Sequence, residues 1–304
     1  MTELLTAPAP VTTLRRARGA GPVALVLGGA ISVQSGAAVA ALLFPRAGVA
    51  GVVTLRLVIA AIVLLAVARP RLRGHHRSDW LAVGAFGVAL AGMNVLIYQA
   101  IERIPLGVAV TVEVLGPLAL SVITGRRASS WLWAALALGG VVLLARGGTG
   151  VDDLDPVGIG FAAAAALMWA AYIVFSARVG ARFPKADGLA LSMTVAAALT
   201  LPWGLMSAGS AMLDPVTLGL GAAVALLSSV LPYTLELLAL RRLPTSTFAV
   251  LMSLGPAIAA LAGYLVLDQA LTPVQILAIG LVVAASAGAV RTSGDRPGSG
   301  PTRG

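Results

Sequence analysis

The chain is predicted to be an all-α integral membrane protein of ten transmembrane helices, written as two inverted five-helix repeats. Three observations predict it. The 304 residues are 59% hydrophobic and only 11% charged, whereas a soluble domain carries about 25% charged residues. Ten apolar runs approach the ~20 residues needed to span a bilayer core. Finally, Pro45 and Pro184, Pro105 and Pro244, and Pro117 and Pro256 all stand 139 residues apart.

The first run, 22–43, follows a basic tail with Arg15, Arg16 and Arg18 that imitates a signal peptide. It exceeds the ~7–15 apolar residues of a signal, so it is expected to be an uncleaved first helix. Runs 50–68, 79–100, 105–124 and 131–146 complete a first unit, 22–146, and 131–146 is the shortest of them. Runs 156–178, 187–208, 216–240, 245–267 and 272–290 form the second unit, 156–290. The tails, 1–21 and 291–304, are polar and rich in Pro and Gly, a composition that favours disorder.

Charge sets the expected orientation. With the N-terminus inside, Arg46, Arg103 and Arg146 fall outside and Arg56 falls within a helix. Every other lysine and arginine lies on the inner side, while the outer loops hold Glu102, Asp152, Asp153, Asp155, Asp214 and Asp268. Positive residues mark the cytoplasmic face, so both tails are expected to be cytoplasmic.

RIPLGVAVTVEVLGPL aligns with RLPTSTFAVLMSLGPA at the common offset. Because five is odd, the second copy enters the membrane upside down. Inverted repeats with broken helices and a midplane site are the architecture of secondary transporters.

A charge at the bilayer centre costs about 2.5–3.5 kcal/mol even on the mildest scale. Arg56, Glu113 and Glu236 each therefore need a reason. Glu113 lies ~12 Å inward of Pro105, Glu236 ~12 Å from the opposite face, and Arg56 ~9 Å deep. These depths permit one central cavity. A proline inside a helix removes a hydrogen bond from the carbonyl four residues earlier. That carbonyl belongs to Glu113 for Pro117, to Met252 for Pro256 and to Ser228 for Pro232. Such carbonyls are tolerated where they line a cavity or find polar neighbours.

A carboxylate that meets each side in turn can carry a proton, and Arg56 can hold a substrate carboxylate or neutralise Glu113. Gln34, Asn94, Tyr98, Gln99, Tyr172 and Tyr233 are candidates to complete a hydrogen-bonding pocket. Blander readings stand beside these. Glu113 and Arg56 form a structural ion pair; Glu236 makes an interhelical hydrogen bond; Asn94 and Gln34 join helices; Tyr98 and Tyr172 sit in an interfacial belt. His75 and His76 fall in an arginine-rich loop and are expected to be solvated.

The exclusions are broad. There is no cysteine, hence no disulfide or thiolate chemistry, and VDDLD lacks the spacing of a calcium loop. HExxH, P-loop and GxSxG motifs are absent, and no apolar run holds a histidine. No enzyme activity, cofactor or metal is expected. The net charge of +9 is spread over short loops, which argues against nucleic acid, and no loop has room for a nucleotide domain or implies an ATPase subunit. The expected partners are a small-molecule substrate, protons and the lipid bilayer.

VTLRLVIA around Arg56, GMNVLIYQAIERIPLGVAVTVEVLGPLALSV, LPYTLELLALRRLPTSTFAVLMSLGPAIAALAG and LTPVQILAIGLVVAAS occur in order. In these stretches the chain resembles the EamA-type drug/metabolite transporter superfamily, and within it the bacterial threonine/homoserine exporter branch. The resemblance spans 22–290. It implies export of small amino acids across the bacterial cytoplasmic membrane by alternating access, against proton entry. It places the family's arginine on Arg56 and its carboxylates on Glu113 and Glu236. One departure is visible: relatives often carry MEP in the ninth helix, where this chain has Gly255 before Pro256. Two alternatives stay open, an EamA-type exporter of another metabolite or drug, and a membrane scaffold without transport.

Overall fold

A computed structural model describes residues 20–125, 128–146, 154–184, 186–240 and 245–294. Both tails, save their helical ends, together with Pro244 and most of the VDDLD loop, lie outside the described residues. Every regular element among the described residues is helical. In chain order they are α1 (Ala20–Ala68), α2 (Arg77–Ile101), α3 (Leu106–Glu113), α4 (Leu115–Gly125), α5 (Ala128–Arg146) and α6 (Pro156–Gly180), then α7 (Asp187–Ala208), α8 (Pro215–Ala225), α9 (Leu231–Leu240), α10 (Thr245–Met252), α11 (Gly255–Leu267) and α12 (Pro273–Gly294). A 3-10 turn, Gly209–Leu213, precedes α8, and a π-helical segment, Leu226–Val230, joins α8 to α9.

Seven helical segments among the described residues are long and apolar enough to cross a membrane. Large apolar side chains such as Trp131, Leu132, Leu167, Tyr264 and Leu265 face outward. An apolar exterior around an apolar interior suits lipid rather than water, and the chain is a multi-pass membrane protein.

Helix boundaries depart from the apolar runs in an informative way. Runs 22–43 and 50–68 are joined in α1, whose 49 residues would reach about 74 Å if straight. Gly48, at φ 64 and ψ 167, bends it through a backbone region essentially closed to other residues. Runs 105–124, 216–240 and 245–267 are each interrupted instead: at Val114, over the π segment and at Ser253–Leu254. A proline follows within four residues of each interruption, so the backbone gives way where the missing N–H leaves the helix unsupported.

The core gathers around α1, which packs against α7, α8, α9 and α11, while α2 lies along α6 and α7, and α5 along α12. Thr54 Oγ1 donates to the Thr200 carbonyl at 2.9 Å, and Ser192 Oγ to the Val83 carbonyl at 3.1 Å, so hydroxyls join helices at depth. Helix ends are closed by side chains. Asp155 accepts from the Val157 N–H and Asp214 from the Thr217 N–H, each at 2.9 Å, with a proline opening each helix. That Thr217 N–H holds the Asp214 carboxyl below the usual carboxylate range. The first N–H of α3 is taken by Gln269 Oε1 beyond α11, at 2.9 Å.

The loop carrying His75 and His76 is largely exposed, yet it is tied down. The His75 ring stacks on Phe183 at 4.3 Å, and Arg182 pairs with Asp79 at 3.0 Å and donates to the Ser78 carbonyl at 3.1 Å. The α1–α2 loop is thereby clasped to the α6–α7 turn.

Gly107 shows why small residues recur here: a Cβ on it would sit 2.7 Å from the Ala260 Cα of α11. Gly107→Ala is expected to cost about 1–3 kcal/mol, as overpacking does, and to lower the temperature at which the protein leaves its monodisperse peak in detergent. Gly160→Ala, where a Cβ meets nothing within 4 Å, serves as the control and leaves that temperature unchanged or higher.

Candidate functional site

Arg56 lies on α1 eight residues after the Gly48 bend. Its Nη1 donates to the Tyr98 hydroxyl at 2.9 Å, and its Nη2 to the Ser228 carbonyl at 3.3 Å. The guanidinium carbon stands 5.4 Å from the Tyr98 ring centroid, and Phe44 tilts against that ring at 5.9 Å. Tyr98 is 1% exposed, which removes it from any interfacial belt.

The Ser228 carbonyl is free for a reason written in the sequence. In an α-helix it would accept from residue 232, but Pro232 has no N–H. The π turn shifts the Leu231 N–H onto the Leu226 carbonyl, which also leaves the Leu227 carbonyl unused. Ser32 Oγ donates to that one at 2.6 Å. Two orphan carbonyls at membrane depth are thus satisfied from α1, by Ser32 and Arg56.

Asn94 lies one turn before Tyr98 on the same face of α2. Its Nδ2 donates to the Leu90 carbonyl at 2.8 Å, within its own helix, so it does not bridge helices. Its Oδ1, the Arg56 Nε and the Ser228 Oγ are buried and have no hydrogen-bond partner among the described residues. Buried polar atoms are ordinarily paired. Here a charged donor on Arg56 and the hydroxyl of Ser228, whose carbonyl Arg56 holds, are left unpaired, as is an acceptor one turn from Tyr98.

Glu113 ends α3 and is 9% exposed. Among the described residues the ion pairs within 4.0 Å are Arg103–Glu102, Arg103–Asp155 and Arg182–Asp79, so the structural Arg56–Glu113 pair is not made. The chain breaks at Val114 immediately after Glu113, and Val114 and Pro117 wall a cavity of about 230 Å³. Met252 and Ser253, at the interruption of the second broken helix, line the same cavity.

The other sequence candidates divide. Gln34 is buried on α1 and makes no hydrogen bond to the described residues. Pro232 is buried in α9. Pro256 lies in the first turn of α11, just past its break. At Gly255 a Cβ would meet nothing within 4 Å, so the position has room for a side chain. The side chains of Glu236 and Tyr233 lie outside the described residues. No group of three or more His, Cys, Asp or Glu that could hold a metal occurs among the described residues. Sequence reasoning missed the Ser228 and Ser32 hydroxyls, Phe44 and the cavity. The signal for Ser228 was present, since it stands four residues before Pro232.

Comparison with known proteins places this arrangement. The model of the EamA-like transporter family matches residues 156–291. The threonine/homoserine exporter RhtA of Escherichia coli strain K12 is 40% identical over 271 residues, covering 89% of this chain and 92% of that one. Its namesake in Salmonella typhimurium strain LT2 is likewise 40% identical over the same coverage. A protein of known crystal structure superposes with a TM-score of 0.57 at 23% identity, over 91% of this chain and 99% of that one, and so shares the fold. The chain belongs to the EamA-like transporters of the drug/metabolite transporter superfamily and resembles their threonine/homoserine exporter branch.

Proposed function

We propose that the protein exports small amino acids, threonine- and homoserine-like, across the cytoplasmic membrane by alternating access coupled to proton entry. The observation that carries this reading is the unpaired polar atoms of Arg56, of Ser228 on which it donates, and of Asn94 one turn from its other partner, Tyr98. An amino acid's carboxylate suits the Arg56 Nε and the Ser228 hydroxyl, and its ammonium suits the Asn94 Oδ1. Glu113, buried without a direct partner, is suited to take a proton in place of cargo. The names of the relatives at 40% identity support the same cargo class.

Ten crossings follow if α1 counts as two helices bent at Gly48, and if α3–α4, α8–α9 and α10–α11 count as one broken crossing each. Val114 and Ser253, two of the three interruptions, stand at the same 139-residue offset as the repeated prolines. That supports two inverted copies, 22–146 and 156–290, with both tails cytoplasmic. Backbone breaks near mid-membrane are tolerated where they line a cavity, and inverted-repeat transporters hold cargo between such helices. The cavity's largely apolar wall favours a second reading, export of a less polar metabolite by the same machinery.

Uptake of labelled threonine into proteoliposomes, with and without an imposed pH gradient, tests the reading. Gradient-dependent accumulation is expected, and no threonine movement in either condition would remove it. Arg56→Lys is expected to lower uptake ~10–100-fold, the cost of a lost charge-assisted hydrogen bond of about 1.5–3 kcal/mol, because an ammonium cannot reproduce the planar fork. Glu113→Gln is expected to keep threonine exchange between the two sides while losing accumulation driven by the pH gradient. Full gradient-driven accumulation in that variant would take Glu113 out of the coupling.

A further inference from the structure

The cavity beside Glu113 is larger and less polar than a threonine side chain needs. Its walls come from four helices: Val114 and Pro117, Trp169 on α6, Phe248 and Met252 on α10, and Ser286 on α12. An apolar protein cavity of ~150 Å³ stays dry and takes up benzene, so about 230 Å³ accommodates a side chain of four or more heavy atoms.

Two observations tie it to cargo rather than to loose packing. The Ser286 hydroxyl is buried on a residue 7% exposed and has no partner. A serine inside a helix ordinarily bonds a carbonyl of the preceding turn, so this cavity-wall hydroxyl awaits a polar atom from elsewhere. Ser253, on the same wall, already donates to the Val250 carbonyl at 2.6 Å. The second observation is continuity. Pro117, in the cavity wall, stands four residues beyond Glu113, just across the Val114 break.

We propose that this cavity is a side-chain subsite and that amino acids of methionine shape, long, unbranched and apolar with one weak acceptor, are cargo of this protein. The inference rests on the amino-acid export reading. With its carboxylate at Arg56 and its ammonium toward Glu113 or Asn94, such a molecule sends its side chain between Trp169, Phe248 and Met252. A thioether gains from aromatic neighbours, and Ser286 donates to the sulfur. Threonine occupies the same backbone-binding groups but leaves the far end of the cavity unfilled.

Inhibition of labelled threonine uptake by unlabelled methionine, norleucine and threonine, in proteoliposomes of the full chain, tests this. Methionine and norleucine are expected to compete as well as threonine itself. Ser286→Leu, which fills the cavity, is expected to raise the methionine-to-threonine ratio of half-inhibitory concentrations at least ~10-fold, the low end of a misplaced methylene's cost in an apolar pocket. Ser286→Ala keeps the volume and is expected to weaken methionine about 2–10-fold relative to norleucine, which has no acceptor to lose. Threonine uptake without methionine or norleucine competition overturns the subsite and leaves the export reading standing. So does an unchanged ratio in both variants. Absence of threonine uptake in the unmodified protein overturns the export reading itself.

Discussion

A bilayer core offers no water to a backbone carbonyl, and the arrangement around Arg56 depends on that constraint. Pro232 takes away the N–H that Ser228 would use, and the π turn before it strands the carbonyl of Leu227 as well. Each unpaired group would cost several kcal/mol in hydrocarbon. Both are answered by α1, through Ser32 and Arg56. The same two bonds fix where α1 and the α8–α9 segment meet, and they fix the guanidinium. With Nη1 on Tyr98 and Nη2 on Ser228, the plane of Arg56 is set and Nε is the nitrogen left without a bond. A structural necessity of the membrane has therefore oriented a charged group with donors unspent, the Nε N–H among them.

The two ends of the packed helices are held differently. Around the α6–α7 turn the contacts are polar and aromatic: Arg182 on Asp79, Arg71 N–H on Asp187 Oδ2 at 3.4 Å, and His75 stacked on Phe183. Around the Gly48 bend they are made by small residues, where Gly51 meets Ala208 and Gly48 faces Ser207. Partly exposed ion pairs contribute little, of order 0–1 kcal/mol, and bare backbone contact carries no directional bond.

How much of this could be read from residues alone follows from range. Arg56 and Glu113 stand out because a charge in an apolar run is anomalous without any structure. The Ser228 carbonyl is equally local, since proline acts at a fixed spacing of four. The bend at Gly48 is not legible, because glycine permits φ 64 without requiring it and thirty-five glycines compete for the role. Serine hydroxyls are silent too: most fold back on their own helix, and only packing shows that Ser32 reaches another and Ser286 reaches none. The cavity is the least legible feature. Its walls come from four segments, and no one of them encodes the space between them.

The repeat is where symmetry and chemistry part. At one offset, Pro117 matches Pro256 and the break at Val114 matches the break at Ser253. The backbone is interrupted twice in the same manner, so the interruption belongs to the shared scaffold. Glu113 is matched by Met252, and Met252 lines the very cavity that opens beside Glu113. One half contributes the charge and the other an apolar wall, at positions made equivalent by duplication. A zwitterion with a side chain has the same division: charges at one end, hydrocarbon at the other. Two identical halves would present two carboxylates or two apolar walls to it. On the proposed export reading, this difference between the two copies suits the centre of the protein to an amino acid rather than to a symmetric ligand.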